Sequence, residues 1–400
     1  MSGSVLDYQA GVESTEVVLS YAAESTWKVA PSVPTRILRM TGESLAGTKT
    51  RNRPQEIESS RQASPAVTTA RQAGGGINFA LSSGTYDGLF PSLMGSDWTA
   101  DLAITGTNIA AAAAGNQLTG PAGTFNAVQV KQWVRIEGDG AWPAANAGFF
   151  FVSAKASDGS SITLRGGTLV NAAAGPAVRV RGSMIRNGRD VKTLYFQKEL
   201  RDKWLRYPGC LVSGFTLNLG QGDFGSGSWT LIAADQFRPD TQADFGTGAQ
   251  IAAPTGRIHD SVDGFKKALL DEVEFDSAIT GVSLTVTREG AAQDYAMGSP
   301  ESAGVRAGTL TASGTVRAFF RTWAQYENAE QEIATRFSFG SFDPDGAGYM
   351  FTLHSAVLVN PQFVAGARDS AVTAEYTLEG NPGADPNCTI QIDRFGKAGI

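Results

Sequence analysis

Metal or nucleophile chemistry in this chain would depend on its two cysteines and two histidines. A zinc site would need nearly all four, and none of them lies at the short spacing from another that zinc ligands usually show. His259 precedes Asp260 as in a fragment of a catalytic triad, but no nucleophile elbow accompanies it. The thiols are predicted to be reduced and structural, and one long-range disulfide is the open alternative. The four side chains are Cys210, His259, His354 and Cys388.

Two glycine-containing segments resemble ligand-binding loops on paper. Gly220-x-Gly222-x-x-Gly225 has the spacing of a dinucleotide fingerprint, but a strand follows it where that motif needs a helix, so a glycine-rich hairpin is predicted. Asp343-Pro344-Asp345-Gly346 begins like a calcium loop but lacks the later ligands, so a turn is predicted. We therefore expect no catalytic residue, no cofactor and no metal, and predict that the protein is not an enzyme.

The net charge of −6 conceals two basic segments. Residues 28–71 hold eight basic and three acidic side chains, and residues 179–206 hold nine basic and three acidic, which leaves −17 for the rest. Such segments are candidates for nucleic-acid strips, or for contacts to an acidic surface of a neighbouring copy. Because regularly interleaved aromatic residues are missing, we favour the second interpretation.

Composition and periodicity predict a mainly β protein. The 47 glycines, the abundant serine and threonine and the 18% charged residues suit short strands and tight turns. Helices are predicted over residues 85–96 and in the run 315–328, and a short one within 260–272. Residues 41–73 form a long polar stretch, which is normally functional or disordered. The start of the chain lacks the features of a signal peptide, and no run of about 18 apolar residues occurs, so we expect synthesis in a cytoplasm and no membrane insertion.

Three pairs of similar segments, referred to below as sequence echoes, predict a duplicated β unit. Residues 212–219 are echoed by 279–286, Gly84-Thr85 by Gly314-Thr315, and residues 193–196 more loosely by 349–353. Residues 99–189 differ, because they are rich in Ala and Gly and alternate short strands with turns. They predict a small inserted all-β domain that is dispensable for the main fold.

Several motifs, in order along the chain, resemble the tail tube proteins of long, non-contractile-tailed bacteriophages (siphophages). The resemblance covers roughly residues 20–98 and 186–325. The matching motifs are Glu24-Ser25-Thr26-Trp27 with Pro31, Leu38-Arg39-Met40-Thr41-Gly42-Glu43-Ser44-Leu45, Glu56-Ile57-Glu58-Ser59-Ser60-Arg61, Gly75-Gly76-Ile77-Asn78-Phe79, Thr85-Tyr86-Asp87-Gly88-Leu89-Phe90, Arg186-Asn187-Gly188-Arg189, Tyr195-Phe196-Gln197-Lys198 and Pro208-Gly209-Cys210-Leu211-Val212-Ser213-Gly214-Phe215.

The resemblance implies duplicated tail-tube β-sandwich or barrel domains with short flanking helices, plus the inserted all-β domain. The first tube domain would be discontinuous (1–98 and 190–275), the insert would be 99–189, and the second domain would be 276–400 with a C-terminal arm. Strands from each copy would pair around a ring into an inner barrel. The loop between two early strands would contact the next ring through Arg51, Arg53, Glu56, Glu58 and Arg61.

The implied function is a structural subunit of the virion tail, assembled in the host cytoplasm, whose stacked rings conduct genomic DNA through an acidic lumen. The implied partners are the tape measure protein and DNA in the lumen, and tail terminator and distal tail proteins at the tube ends. Two copies per chain predict a homotrimeric, pseudo-hexameric ring, and a homohexamer with an external second copy is the alternative. A tube of a gene-transfer agent or secretion system, or a β-module adhesin, stays open as another function.

Overall fold

The computed structural model describes residues 11–57, 59, 61–201, 203–239, 250–275 and 277–397, and nearly all regular structure in this part is antiparallel β-sheet. The predicted mainly β class is confirmed. Period-two alternation explains the strands: in the run Ile279–Glu289, Val282, Leu284 and Val286 are buried while the residues between them face outward.

The elements fall into three groups along the chain. The first group is β1 (Val17–Ala23), β2 (Arg36–Ile37), β3 (Gly42–Glu43), β4 (Ala46–Asn52), β5 (Val67–Ala80) and α1 (Phe90–Met94). The inserted group is β6 (Leu102–Gly106), β7 (Ala110–Ala112), β8 (Gln117–Thr119), β9 (Trp133–Gly138), β10 (Gly148–Lys155), β11 (Ser161–Arg165) and β12 (Val178–Arg186). The third group is β13 (Leu194–Leu200), β14 (Lys203–Gly220), β15 (Ser226–Ala233), β16 (Phe265–Leu270), β17 (Val273–Glu274), β18 (Ile279–Glu289), β19 (Ala292–Tyr295), β20 (Ser302–Arg306), β21 (Thr309–Phe319), α2 (Ala324–Glu330), β22 (Thr335–Phe342), β23 (Gly348–Val364), β24 (Thr373–Asn381) and β25 (Ile390–Phe395).

The same order of strand pairing occurs twice. In the first half, β2, β1, β13, β14, β15, β5 and β4 pair in that spatial order. In the second half, β17, β16, β22, β23, β24, β21 and β18 pair in the same way. Each half also places its α-helix after the matching strand, β5 or β21.

The three sequence echoes do not mark this correspondence. The first echo compares β14 with β18, which are antiparallel neighbours, with Leu217 opposite Leu284. The topological counterpart of β14 is β23, and that of β18 is β4. Gly314-Thr315 lies in the middle of β21, whereas Gly84-Thr85 lies in a turn. The third echo compares β13 with β23, although β13 corresponds to β22.

The two halves join edge to edge and share one core. The β14–β18 pairing makes a continuous sheet in the order β23-β24-β21-β18-β14-β15-β5-β4. One hydrophobic cluster beneath it takes residues from both halves, including Phe90, Phe215, Trp229 and Phe351. The Phe215 and Trp229 rings lie 4.5 Å apart, a distance typical of stabilising aromatic pairs.

The inserted strands β6–β12 enclose a hydrophobic cluster of their own, built from residues 102–180. Strand β12 belongs to both parts, because its residues 178–182 pair with β6 and β9 while Ser183–Arg186 pair with β25. A third cluster joins the two parts, with Trp133 and Phe151 of the insert against Phe342, Met350 and others of the second half. The insert is therefore packed onto the second half.

The prediction of a C-terminal arm is wrong for the described residues, which end at residue 397. Strand β25 lies between β12 and β23, and Ile390 and Ile392 are fully buried. Alternation of apolar residues over Ile390–Phe395 gives the strand one core face, so the chain returns to the sheet instead of extending.

The helix predictions are partly wrong. Helix α1 covers Phe90–Met94, because Pro91 lies in its first turn, where a missing N–H is tolerated, and residues 85–89 form turns. In the run 315–328, β21 continues through Thr315 to Phe319, and α2 begins at Ala324. The segment 260–272 forms β16 instead of a helix, since its partner β22 supplies a sheet edge. Pairing partners override the local apolar period in both strands.

Candidate assembly surfaces

The histidine nearest to a catalytic pattern is held between two serines. His259 Nε2 lies 2.9 Å from Ser83 Oγ, and Nδ1 lies 3.0 Å from Ser341 Oγ. Burial lowers the pKa of His259 to about 4, so the ring is neutral at pH 7. Asp260 instead accepts backbone N–H groups two and three residues later and stabilises the turn. These contacts are those of a structural histidine.

His354 belongs to a buried network at the seam between the insert and the second half. Its Nε2 lies 3.1 Å from Gln391 Oε1, and Gln391 Nε2 donates to Asp393 at 2.7 Å. Asp393 also accepts the backbone N–H of Trp133 at 3.2 Å. Burial raises the pKa of Asp393 to about 8 and lowers that of His354 to about 4. The network ties β25 to β9.

The two cysteines are unpaired and buried, as predicted. Burial raises the pKa of Cys388 to about 11 and that of Cys210 further above its usual range, so both thiols are protonated at pH 7. Among the described residues no group of three or more His, Cys, Asp and Glu side chains could hold a metal ion.

The two loops that resemble ligand motifs are hairpin connections, as predicted. Residues 221–225 join β14 to β15, with the Asp223 N–H donating to the Gly220 carbonyl. Residues 343–347 join β22 to β23, and the Asp343 carbonyl accepts the N–H of Gly346.

The second basic segment is partly neutralised within the chain. Lys198 lies 2.5 Å from Glu43 and Arg179 lies 2.7 Å from Asp139, and Lys192 and Arg201 also lie within 3 Å of a carboxylate, so four of the nine cations have acidic partners within the chain.

One face of the long sheet is covered with small polar side chains. Ser228, Thr216, Thr285 and Ser313 lie side by side across four adjacent strands. Their hydroxyls pair across strands, as in the 2.9 Å contact between Thr216 and Ser228. The opposite face packs on the core, so this hydroxyl face is the free side of the sheet.

Few charges lie on the hydroxyl face. Its strands carry Glu289, Glu375 and Glu379 against Arg317, a net of −2. Arg317 is 2.6 Å from Glu375, its partner across the β21–β24 ladder. The face is thus close to neutral, with a small acidic excess.

A two-stranded ribbon extends beyond the sheet, formed by β4 and the first half of β5. Every residue of β4 is exposed, and β15 pairs with β5 only from Ala73 onwards. The base of the ribbon is held by the β19–β20 hairpin, where the Arg71 N–H donates to the Pro300 carbonyl at 2.7 Å, and the exposed strand β4 is suited to a partner.

The ribbon strand β4 contains Arg51, and the loop that joins β4 to β5, counted with the ribbon below, contains the other predicted contact residues. Arg51 donates to the Ala66 carbonyl at 2.7 Å, and Arg53 donates to the Ser64 carbonyl at 3.0 Å. Glu56 accepts from Ser64 at 3.1 Å. These bonds close the loop, and Arg51, Arg53, Glu56 and Arg61 are all exposed. Glu58 lies outside the described residues.

The long sheet ends in two strand edges. In the described chain, residues 357–364 of β23 pair with β24 on one side, and β4 pairs with β5 on one side. No other described strand covers the second edge of either. Exposed edges are normally paired or protected in a finished protein.

A sequence repeat that the sequence analysis missed connects these edges to the β14–β18 junction. Residues 42–49 read Gly-Glu-Ser-Leu-Ala-Gly-Thr-Lys, and residues 281–288 read Gly-Val-Ser-Leu-Thr-Val-Thr-Arg. These segments are β3–β4 and β18, which correspond in topology and lie 239 positions apart. The β4–β5 loop and the β19–β20 hairpin also correspond, so both halves carry an extension at this point.

Together, a free hydroxyl face, a basic ribbon and two open sheet edges define a structural β protein built for self-association. The chain matches the family model described as phage tail tube protein over residues 14–382, and it belongs to that family. Membership supports a structural role in the tail tube and implies self-assembly into a tube of the virion tail. No curated protein matches the chain. None of the described helices has the length and apolar character needed to cross a membrane.

Proposed function

We propose that this chain forms homotrimeric rings with pseudo-sixfold symmetry, which stack into a tail tube that conducts genomic DNA. The observation that carries the proposal is the repeated strand order, with the two halves joined by β14 and β18. Since β23 corresponds to β14 and β4 to β18, β23 of one chain would pair with β4 of the next in the same manner. Three chains with two halves each then close a ring of six equivalent positions.

The register of the proposed β23–β4 contact follows from the register of the β14–β18 pair. Thr216 lies opposite Thr285 in the β14–β18 pair. Gln362 of β23 is equivalent to Thr216 of β14. Gln362 pairs with Glu375 of β24, Thr216 pairs with Ser228 of β15, and these two partners occupy equivalent positions. Ala46 takes the place of Thr285, because Ala46 pairs with Gly74 and Thr285 with Ser313. Gln362 would therefore lie opposite Ala46 of the neighbouring chain.

In such a ring the hydroxyl face would line the lumen, since the opposite face is occupied by the core. The hydroxyl face offers duplex DNA mainly hydroxyl side chains and a small acidic excess, and its cation Arg317 is already paired with Glu375. Only charges within about 8 Å of the DNA act strongly at physiological salt. The wall would favour passage of DNA over adsorption.

The ribbon would make the contact between stacked rings, through Arg51, Arg53, Glu56 and Arg61, with Glu58 in the same loop. Its exposure and its net positive charge support this role in an otherwise acidic chain. Residues 99–189 would form an external domain between the two parts of the first tube domain (1–98 and 190–275), and residues 276–400 the second tube domain.

The finer biological setting follows from the same proposal. The chain would act without catalysis in a siphophage tail assembled in the host cytoplasm. The tape measure protein and DNA would occupy the lumen, and terminator and distal tail proteins would cap the tube.

The test introduces Gln362→Cys and Ala46→Cys into the same chain, so that a disulfide can form between neighbouring copies. Residues directly opposite in adjacent strands have Cβ atoms close enough for such a bond. Oxidised assemblies should give covalent trimers on a non-reducing gel. The matched control, Thr216→Cys with Thr285→Cys, should give an internal bond in the monomer. Rings that form without interchain bonds would contradict the proposed closure.

A further inference from the structure

An exposed aromatic cluster lies at the far end of the sheet from the ribbon. It consists of Phe320, Trp323, Tyr326 and Phe363, with the Phe320 and Trp323 rings 4.9 Å apart and the Trp323 and Phe363 rings 5.6 Å apart. Trp323 is 55% exposed and Phe363 is 38% exposed. An aromatic cluster left open in a single chain marks an interaction surface.

The equivalent position in the first half is covered. The Leu81 N–H donates to the Gly225 carbonyl at 2.7 Å, and in the second half the Phe320 N–H donates to the Val372 carbonyl at 2.9 Å. Leu81 and Phe320 are thus equivalent, yet Leu81 is fully buried. His259 covers this position. Its backbone N–H donates to the Leu81 carbonyl, and its carbonyl accepts the Gly225 N–H.

The covering segment is the stretch that leads into β16. It forms two antiparallel bridges, from Ile258 to Ser82 and from Asp260 to Phe224. Strand β16 corresponds to β1, since β16 pairs with β22 as β1 pairs with β13. The stretch that leads into β1 is the N-terminal segment of the chain.

We infer that the N-terminal segment of the neighbouring copy covers the aromatic cluster, centred on Gly11. His259 lies six residues before Phe265, where β16 begins, and Gly11 lies six residues before Val17, where β1 begins. This inference rests on the proposed ring, in which the next chain's first half adjoins this chain's second half.

The properties of both surfaces agree with this assignment. Residues 11–15 are exposed in the single chain, and Val12 is 43% exposed. The sequence before them supplies Val5, Leu6 and Tyr8, apolar side chains that suit an aromatic surface. Covering the cluster adds backbone hydrogen bonds at Phe320 and Val372, as His259 does for Leu81 and Gly225.

The register predicts a specific cross-link. Ala371 corresponds to Phe224, and Val12 corresponds to Asp260. A chain carrying Val12→Cys and Ala371→Cys should form covalent trimers when assembled rings are oxidised. The matched control, Phe224→Cys with Asp260→Cys, should form its bond within one chain. A scan of the first cysteine over positions 10–14 allows for a shift of register.

Four results separate the possibilities. Covalent trimers from the Val12 and Ala371 pair support the inference. If none of the scanned pairs links while the Gln362 and Ala46 pair does, the ring exists and the inference is wrong. The inference is also overturned if Ala371→Cys links to Arg61→Cys, because the ribbon of the next ring is then the occupant. If no pair links and no ring forms, the proposed function itself fails.

A truncation provides a second measurement. In rings of a chain lacking residues 2–13, the backbone amide hydrogens of residues 320–323 and 372 should exchange with solvent at least tenfold faster than in full-length rings. Equal exchange in both rings would overturn the inference.

Discussion

Asp393 makes the stability of the protein depend on pH. The carboxyl group is fully buried, and burial raises its pKa from 3.8 to about 8. Between these values the unfolded chain loses the proton that the folded chain retains, so the contribution of Asp393 to stability is greatest at low pH and falls as pH rises. The lowered pKa values of His354 and His259, both about 4, act in the opposite direction below about pH 6.5, because there the unfolded imidazoles hold protons that the folded ones have released.

We predict that the Tm of the protein, relative to the Tm of Asp393→Asn, falls between pH 5 and pH 8, because His259 and His354 are present in both chains. The steepest slope from one such group is about 1.4 kcal/mol per pH unit. Asp345→Asn is the control, because Asp345 is exposed and paired with Lys397 at 2.9 Å. Thermal denaturation across this range measures the slopes. Parallel curves for the wild type and Asp393→Asn would refute the account of this residue.

At the residue scale, the sequence shows which motifs are incomplete, but not which contacts their side chains make. The spacing of His259 excluded a motif, yet its contacts with Ser83 and Ser341 come from segments far apart in the chain. The burial of Asp393 depends on Trp133 of the insert, 260 positions away. Contacts over such distances have no local signal in the sequence.

The β4–β5 ribbon is the element on which stacking should depend. We predict that Arg51→Glu, Arg53→Glu and Arg61→Glu together abolish tube growth and leave folded chains. Reversed charge would repel the acidic surface of the next ring, and the three side chains contribute nothing to the core.

Sedimentation and negative-stain microscopy measure the effect. Arg165→Glu, Arg189→Glu and Lys397→Glu make the same change of charge at exposed positions outside the ribbon and should still form tubes. Normal tubes from the ribbon variant would show that the ribbon is not the stacking contact.

The inserted module should be removable if β12 is cut at the correct point. The Thr99 N–H donates to the Met184 carbonyl at 2.8 Å, so the two ends of the module lie side by side. We predict that replacing residues 101–181 with a short Gly/Ser linker leaves a protein that forms tubes. Deletion exposes Phe342 and Met350, so Tm should fall by about 3–8 °C for the loss of a few kcal/mol of packing.

Circular dichroism and microscopy test the deletion. Removal of residues 101–187 is the informative comparison, since it also removes Ser183–Arg186, which pair with β25. Loss of folding in the shorter deletion with several linkers would mean that the module is part of the main core.

At the element scale, strands were predicted well because period-two alternation with one buried face is a local signal. The hairpin predicted at Gly220-x-Gly222-x-x-Gly225 connects two such strands, β14 and β15. Helices were predicted poorly, because the apolar spacing around Phe90 and Phe320 reflects packing of turns and strand ends against the core. The C-terminal strand was missed because its partners, β12 and β23, are distant in sequence.

At the scale of the whole molecule, duplication was inferred from echoes at positions that do not correspond. The informative repeat was the pair of segments 42–49 and 281–288. The β14–β18 echo arises because neighbouring strands of one sheet share the same polar and apolar faces. Topology, not short sequence similarity, identifies which strands correspond.

The central claim is that three chains close a ring by repeating the β14–β18 junction between β23 and β4. A cryo-EM reconstruction of assembled tubes measures this directly. The account predicts three chains per ring, the hydroxyl face toward the axis, and Gln362 opposite Ala46 of the neighbouring chain. Six chains around the axis, with the second half of each outside the inner wall, would contradict it.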